Sequence, residues 1–387
     1  MKFESKAIRI QSEKSHFREH STPLYATSSF CYDNAEQMRA VFAAEEEGYI
    51  YSRFINPNST EFESKLAQLE KTEACFATAS GMSAVFASFM AFLKSGDHII
   101  ATRAIFGSTY RLLSTWLTNW NIEHTFVDGN DVQSWGKALQ PNTKMLYLET
   151  PSNPALELVD LKKAGDFCKS NNIIFNVDNC FATPYIQNPV DFGADLVVHS
   201  ATKYIDGQGR VLGGAVCGNK ELISEVKAFC RATGPSLSSF NAWVLSKSLE
   251  TLAIRMERHS ENALELSNVL QNTSKVNWVK YPFLNSHPQY ELAKEQMRLG
   301  GGIVSFELSG GLEAGKQFLD NLKMLSLTAN LGDSRSIASH PASTTHAKLS
   351  EAERSEVGIT PGLIRISVGL ENIADIKNDI LQSINSI

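Results

Sequence analysis

Lys203 follows two hydroxyl residues, Ser200 and Thr202, in the run Asp195-Leu-Val-Val-His-Ser-Ala-Thr-Lys-Tyr204. An amine so placed can condense with an aldehyde as a Schiff base, while the hydroxyls hydrogen-bond an anion such as a phosphate. Asp178 closes a second apolar run, Ile173-Ile-Phe-Asn-Val-Asp178. A carboxylate at the end of such a strand can pair with a protonated ring nitrogen and raise its pKa; without a partner, its burial is costly. A third segment, Ala74-Cys-Phe-Ala-Thr-Ala-Ser80-Gly81-Met82, turns at Gly81 into the helical pattern Val85, Phe86, Phe89, Met90 and Leu93. Free amides of Gly81 and Met82 at a helix start make an anion site. An amine, a ring-nitrogen partner and a phosphate cradle are together what pyridoxal 5'-phosphate requires.

The elements that must carry these residues are legible as alternating signals. Apolar runs fall at Cys75–Ala77, His98–Ala101, Thr125–Val127, Met145–Leu148, Ile173–Val177, Leu196–Val198 and Ala215–Cys217, with helix-patterned or polar stretches between most of them. Such alternation predicts an α/β fold: a mostly parallel sheet with helices on both faces. Ligands bind at the C-terminal edge of such a sheet, where Asp178, Ser200 and Lys203 fall. The pattern Thr60-x-x-Glu63 reads as a capping box opening a helix with Phe62, Leu66 and Leu69 on one face.

Residues 1–57 carry few periodic signals and are expected to form an extended arm. Residues 58–246 are expected to form the cofactor-binding domain, and 247–387 a C-terminal domain with clear strands at Ile303–Leu308 and Leu363–Val368.

Composition narrows the class. The chain of 387 residues is long enough for two domains with large cores, and 36 basic against 42 acidic residues leave no cationic excess for nucleic acid. No long apolar span suggests a membrane segment, and the start Met1-Lys-Phe-Glu-Ser-Lys-Ala lacks a secretory pattern, so a cytoplasmic location is expected. The six cysteines show no C-x-x-C and no zinc spacing with His; they read as buried reduced thiols, and no metal is expected.

The ordered motifs resemble the Cys/Met-metabolism family of pyridoxal-phosphate enzymes nearly end to end. They are Tyr51-Ser-Arg53 with Asn56-Pro57, Ser80-Gly81-Met82, Glu149-Thr-Pro-Ser-Asn153-Pro154, Val177-Asp178-Asn179 with Phe181-Ala-Thr-Pro184, Ser200-Ala-Thr-Lys203-Tyr204, Gly213-Gly214 and Leu363-Ile-Arg365-Ile-Ser-Val-Gly369. The resemblance implies an aspartate-aminotransferase-like (fold type I) large domain with a smaller C-terminal α/β domain. It implies pyridoxal phosphate on Lys203, held by Ser80, Gly81, Met82, Phe106, Asp178, Ser200 and Thr202. Tyr51 and Arg53 then reach the phosphate of a neighbouring subunit, so the functional unit is a homodimer at minimum and, as is usual in the family, a tetramer.

Arg365 is the expected grip for the substrate's α-carboxylate. A planar guanidinium offers two parallel hydrogen bonds, and an arginine inside an apolar strand is expensive without such a partner. Asn153 and Asn330 match positions that help hold this carboxylate or a cofactor oxygen in related enzymes.

Two departures from the family pattern bear on the reaction. Phe106, in Ile105-Phe-Gly-Ser-Thr-Tyr-Arg111, stands where many members place a tyrosine over the cofactor ring. Either the lost phenol leaves Lys203 as the main acid–base group, or any aromatic suffices there. The loop Leu331-Gly-Asp-Ser-Arg-Ser336 resembles the sulfhydrylase branch, whereas cystathionine enzymes carry a glutamate near Arg335. Within that branch, Ser200–Gly214 is most similar to the O-succinylhomoserine sulfhydrylases. The implied substrates are therefore an acylated homoserine and sulfide, giving homocysteine. Cystathionine γ-synthase, O-acetylhomoserine sulfhydrylase and γ-lyase activities remain as alternatives. Arg111, placed in the first turn of a helix starting near Ser108, is the candidate partner for a distal succinyl carboxylate.

Overall fold

Short apolar strands alternating with helices across residues 74–218 assemble into one seven-stranded sheet in the computed structural model, which describes residues 1–344, 354 and 358–387. The strands are β1 (Ala74–Thr78), β2 (His98–Thr102), β3 (Glu123–Val127), β4 (Thr143–Glu149), β5 (Ile174–Asp178), β6 (Leu196–His199) and β7 (Gly214–Gly218), in the order β1-β7-β6-β5-β4-β2-β3. Only β7 runs against the others, pairing antiparallel with β1 and β6. Each of the seven apolar runs in the sequence is one of these strands. Both faces are covered, as near-continuous apolar strands demand. Leu146, Phe175 and Val197 face one core, and Met145, Leu196 and Val198 face the other.

The first 56 residues are not uniformly extended. They contain two short helices, α1 (Phe3–Arg9) and α2 (Ala35–Phe42), the second capped by Asn34, whose side chain accepts from Gln37 N at 2.9 Å. The next helix, α3, runs over Pro57–Glu70 and so starts ahead of the expected Thr60 box. Pro57 is preorganised for the first helical position, and Asn56 caps it, accepting from Asn58 N at 2.9 Å. Glu63 is thereby freed for a different task and accepts from Ala77 N on β1 at 2.9 Å.

The C-terminal part builds a second sheet from β8 (Val276–Lys280), β9 (Ile303–Leu308), β10 (Ser326–Leu327), β11 (Ile337–Ser339) and β12 (Leu363–Ser367), in the order β10-β11-β12-β9-β8. Helices Leu252–Gln271, Gly311–Asn321 and Ile373–Asn385 pack on one face of it through Leu266, Phe318 and Ile380. Strand periodicity then sorts β12: Ile364 and Ile366 enter that core, while Arg365 and Ser367 alternate to the opposite face. The two sheets are joined there by Arg365 Nη1 to Asn153 Oδ1 at 3.0 Å, and by Ser305 Oγ to Pro154 O at 2.6 Å.

A buried ion cluster fixes the arm to α3. Lys65, fully buried, lies 3.2 Å from both Glu61 and Glu250. Glu61 also accepts from Ser12 N at 2.9 Å and Ser246 Oγ at 2.7 Å. Burial alone raises its pKa, but these donors and Lys65 hold it below the usual carboxylate range. Lys65→Met removes the cation and leaves Glu61 buried without it. Urea denaturation should show a loss of about 3–5 kcal/mol; a change within experimental error would show that the cluster contributes nothing net.

Candidate active site

Parallel strands bring their C-terminal ends to one edge, and the chemistry-bearing residues gather there. Lys203 lies just beyond β6, and its Nζ donates to Asn330 Oδ1 at 2.7 Å. Burial lowers the lysine pKa, and the Arg365 guanidinium acts in the same direction. A larger neutral fraction is what attack on an aldehyde needs. The turn carrying Lys203 is held from behind by Arg255, which donates to Tyr204 O at 2.6 Å and Ile205 O at 3.3 Å. Gly332, at φ +74°, lets the 330s loop lie against this turn: a Cβ there would stand 2.6 Å from Tyr204 N.

Asp178 ends β5 directly opposite Glu149, the last residue of β4. Asp178 accepts from Tyr147 Oη at 3.2 Å and from Cys180 N at 3.0 Å. Burial raises its pKa, opposed by these donors and by His199. Burial, and then the neighbouring Asp178 charge, raise the Glu149 pKa well above the usual carboxylate range. A cationic ring nitrogen against Asp178 offsets the penalty that the pair otherwise carries.

The segments expected to hold the phosphate are brought together by close backbone approach. Ser80 caps helix α4 (Gly81–Met90), its Oγ accepting from Ser83 N at 3.2 Å, and the Gly81 and Met82 amides open the helix. A Cβ on Gly81 would stand 2.5 Å from Ser200 Cβ, and one on Gly214 would stand 2.1 Å from Ser80 O. Thr202 is pinned to the same strand pair, its Oγ1 accepting from Gly213 N at 3.1 Å. The glycines therefore let Ser200 and β7 approach the start of α4 closely, where free helix amides can accept an anion.

Arg365 is buried, and burial lowers its pKa to about 10. Its Nη1 donates to Asn153 Oδ1, its Nη2 to Asn330 O at 3.1 Å, and its buried Nε has no partner among the described residues. A buried guanidinium with an unused donor is suited to a carboxylate ligand. Asn330 thus touches both Lys203 and Arg365.

Phe106 is exposed, with its amide donating to Glu149 Oε2 at 2.8 Å, and it immediately precedes the short helix α5 (Gly107–Arg111). Arg111 ends that helix, exposed, and makes no hydrogen bond or ion pair among the described residues. Tyr51 and Arg53 make no hydrogen bond to Lys203, Ser200 or Gly81 within the protomer. Arg53 donates to Arg231 O and lies 4.6 Å over the Phe54 ring. Sequence reasoning missed Glu149 as a functional group, although it quoted the motif that contains it. It also missed Arg255, whose position in a helical stretch gave no signal.

This fold and edge define a fold type I pyridoxal-phosphate enzyme. The chain belongs to the Cys/Met metabolism PLP-dependent enzyme family, whose model matches residues 4–385. It is 43% identical over 385 residues to the O-succinylhomoserine sulfhydrylase of Pseudomonas aeruginosa, covering 100% of this chain and 96% of the relative. It is 44% identical over 384 residues to an L-methionine gamma-lyase of Fusobacterium nucleatum, covering 98% and 97%. It superposes with a TM-score of 0.96 and 34% identity, covering 100% of each chain, on a candidate O-acetylhomoserine (thiol)-lyase of Campylobacter jejuni that carries N'-pyridoxyl-lysine-5'-monophosphate.

Gly81→Ala should raise the pyridoxal phosphate Kd at least about tenfold, a cost of about 1.4 kcal/mol, because the new methyl must displace Ser200. Titration of the apoenzyme, followed by cofactor absorbance, measures it; an unchanged Kd would remove Gly81 from the cradle.

Proposed function

We propose that this chain replaces the acyloxy group at Cγ of O-succinylhomoserine with sulfide, giving L-homocysteine and succinate, as a cytoplasmic enzyme of methionine biosynthesis. The observation that carries the reading is Phe106, an aromatic without a phenol beside the site. A carboxylate leaving group needs little acid assistance, so its departure tolerates that loss better than departure of a thiolate. Full-length similarity to an O-succinylhomoserine sulfhydrylase supports the same reading.

Pyridoxal phosphate, when bound, supplies the electron sink that makes the protons at Cα and Cβ of the amino acid removable. Lys203 is the base that takes them and the acid that returns both, since Cα and Cβ of homocysteine carry the same hydrogens as in the ester. Asp178 holds the ring nitrogen protonated. Ser80, Gly81, Met82, Ser200 and Thr202 hold the phosphate, and Phe106 covers the ring. Arg365, with Asn153, grips the α-carboxylate; Asn330 aligns Lys203 beside it. Arg111 meets the distal carboxylate of the succinyl group. We assign residues 58–246 to cofactor binding and 247–387 to the substrate side, with the arm through residue 57 serving a neighbouring subunit in a homodimer or tetramer.

Product analysis with O-succinyl- and O-acetylhomoserine, each offered sulfide and cysteine, tests the reading. Homocysteine should dominate with the succinyl ester and sulfide. Cystathionine from cysteine as the preferred product, or 2-oxobutanoate released from methionine without a nucleophile, would replace it. Arg111→Ala should lower kcat/KM for the succinyl ester roughly ten- to a hundredfold, as expected for a charged hydrogen bond of about 1.5–3 kcal/mol. The acetyl ester should be nearly unaffected, and equal losses on both would give Arg111 a structural role.

The subunit assignment has its own test. Mixing inactive Arg53→Ala chains with inactive Lys203→Ala chains should restore part of the activity. No recovery in verified hybrids would place Arg53 in its own chain's site.

A further inference from the structure

Tyr147 has no role in the reaction outlined above, yet its phenol reaches the carboxylate on which the ring nitrogen depends. It lies on β4 two positions before Glu149, the residue paired with Asp178 of β5, and strand alternation puts its side chain on the same face as both. A phenol inside an apolar run is costly to bury unless its O–H is used. Here it is used: Tyr147 is fully buried, and its Oη donates to Asp178 Oδ2 at 3.2 Å. The ring is seated against the edge of Phe89 from α4, with centroids 4.9 Å apart and planes at 87°. Burial raises the phenol pKa, and the Asp178 charge acts in the same direction, so the group stays a donor.

Asp178 is gripped from two directions. The Cys180 amide takes Oδ1 at 3.0 Å from the turn that follows β5, and Tyr147 takes Oδ2 from the neighbouring strand. A carboxylate oxygen has lone pairs for more than one donor, so these bonds orient the group and still leave it able to accept from a ring N–H. A donor on Oδ2 also favours the ionised carboxylate and makes it a weaker base, which leaves a shared proton on the ring. We propose that Tyr147 is a positioning residue that holds the Asp178 carboxylate in place and ionised, and thereby keeps the ring nitrogen of pyridoxal phosphate cationic. The inference rests on the cofactor, not on the choice of ester or nucleophile.

The test uses the holoenzyme of Tyr147→Phe, which deletes one oxygen and keeps the ring, loaded with cofactor isotopically labelled at the ring nitrogen. The nitrogen NMR resonance separates a cationic from a neutral ring and needs no turnover. In the variant it should move toward the neutral position. Exchange of the Cα proton of L-norvaline in deuterium oxide should slow about tenfold; this amino acid has no group that can leave from Cγ. Its Kd should stay unchanged, because Arg365 and Asn153 are untouched, and that split distinguishes Tyr147 from a residue that merely supports the pocket. If Tyr147→Phe does not retain cofactor, a fluorinated tyrosine at position 147, a stronger donor of nearly the same shape, should move the resonance the opposite way. An unmoved resonance in the variant that holds cofactor, or a norvaline Kd that weakens along with the exchange rate, would overturn the proposal. A failure of the sulfhydrylase reading would show in product analysis and leave these measurements valid.

Discussion

Two carboxylates end adjacent parallel strands opposite one another, nearly out of water, and the edge of the large sheet is arranged around that cost. Like charges so close oppose ionisation of both, and desolvation adds to the penalty. The protein answers with donors: Tyr147 and the Cys180 amide on Asp178, the Phe106 amide on Glu149. His199, paired with Glu70 at 2.5 Å, also favours the ionised form of Asp178. The edge is thereby prepared for a cation at Asp178, and a protonated pyridine ring is such a cation.

The second constraint is a buried guanidinium. Arg365 belongs by chain to the small sheet, but its hydrogen bonds reach Asn153 of the large domain and the Asn330 carbonyl. Asn330 in turn receives the Lys203 amine. The Lys203 amine and the Arg365 guanidinium are therefore held relative to each other through a single asparagine.

The strands were legible in the sequence because seven short apolar runs, separated by helix-patterned segments, leave a parallel sheet as the economical way to bury both faces. Asp178 and Lys203 were legible because a charged residue closing such a run needs a reason to be there. Other features were hidden for physical causes. The start of α3 moved to Pro57 because Asn56 and proline outcompete Thr60, and both signals were visible but looked like a loop. Glu149 was hidden because the partner it takes, the Phe106 N–H, is a backbone amide, which every residue except proline carries, so no side-chain pattern betrays it. Asn330 as the lysine's acceptor depends on how the two domains meet, which local patterns do not encode. Tyr51 and Arg53 entered through family likeness alone, and within the protomer Arg53 donates to Arg231 O rather than to the edge that carries Lys203.

The close contact of Gly81 with Ser200, and of Gly214 with Ser80, also bears on how such a protein can change over time. Each of these glycines faces a neighbour too near to admit even one methyl group. A substitution at either is blocked by the other segment, and relief requires a simultaneous backbone shift in two distant stretches of chain. Change meets less resistance at positions such as 106 and 111, which are exposed at either end of α5. Residues there can be exchanged one at a time, while the paired contacts of Gly81 with Ser200 and Gly214 with Ser80 hold each other in place.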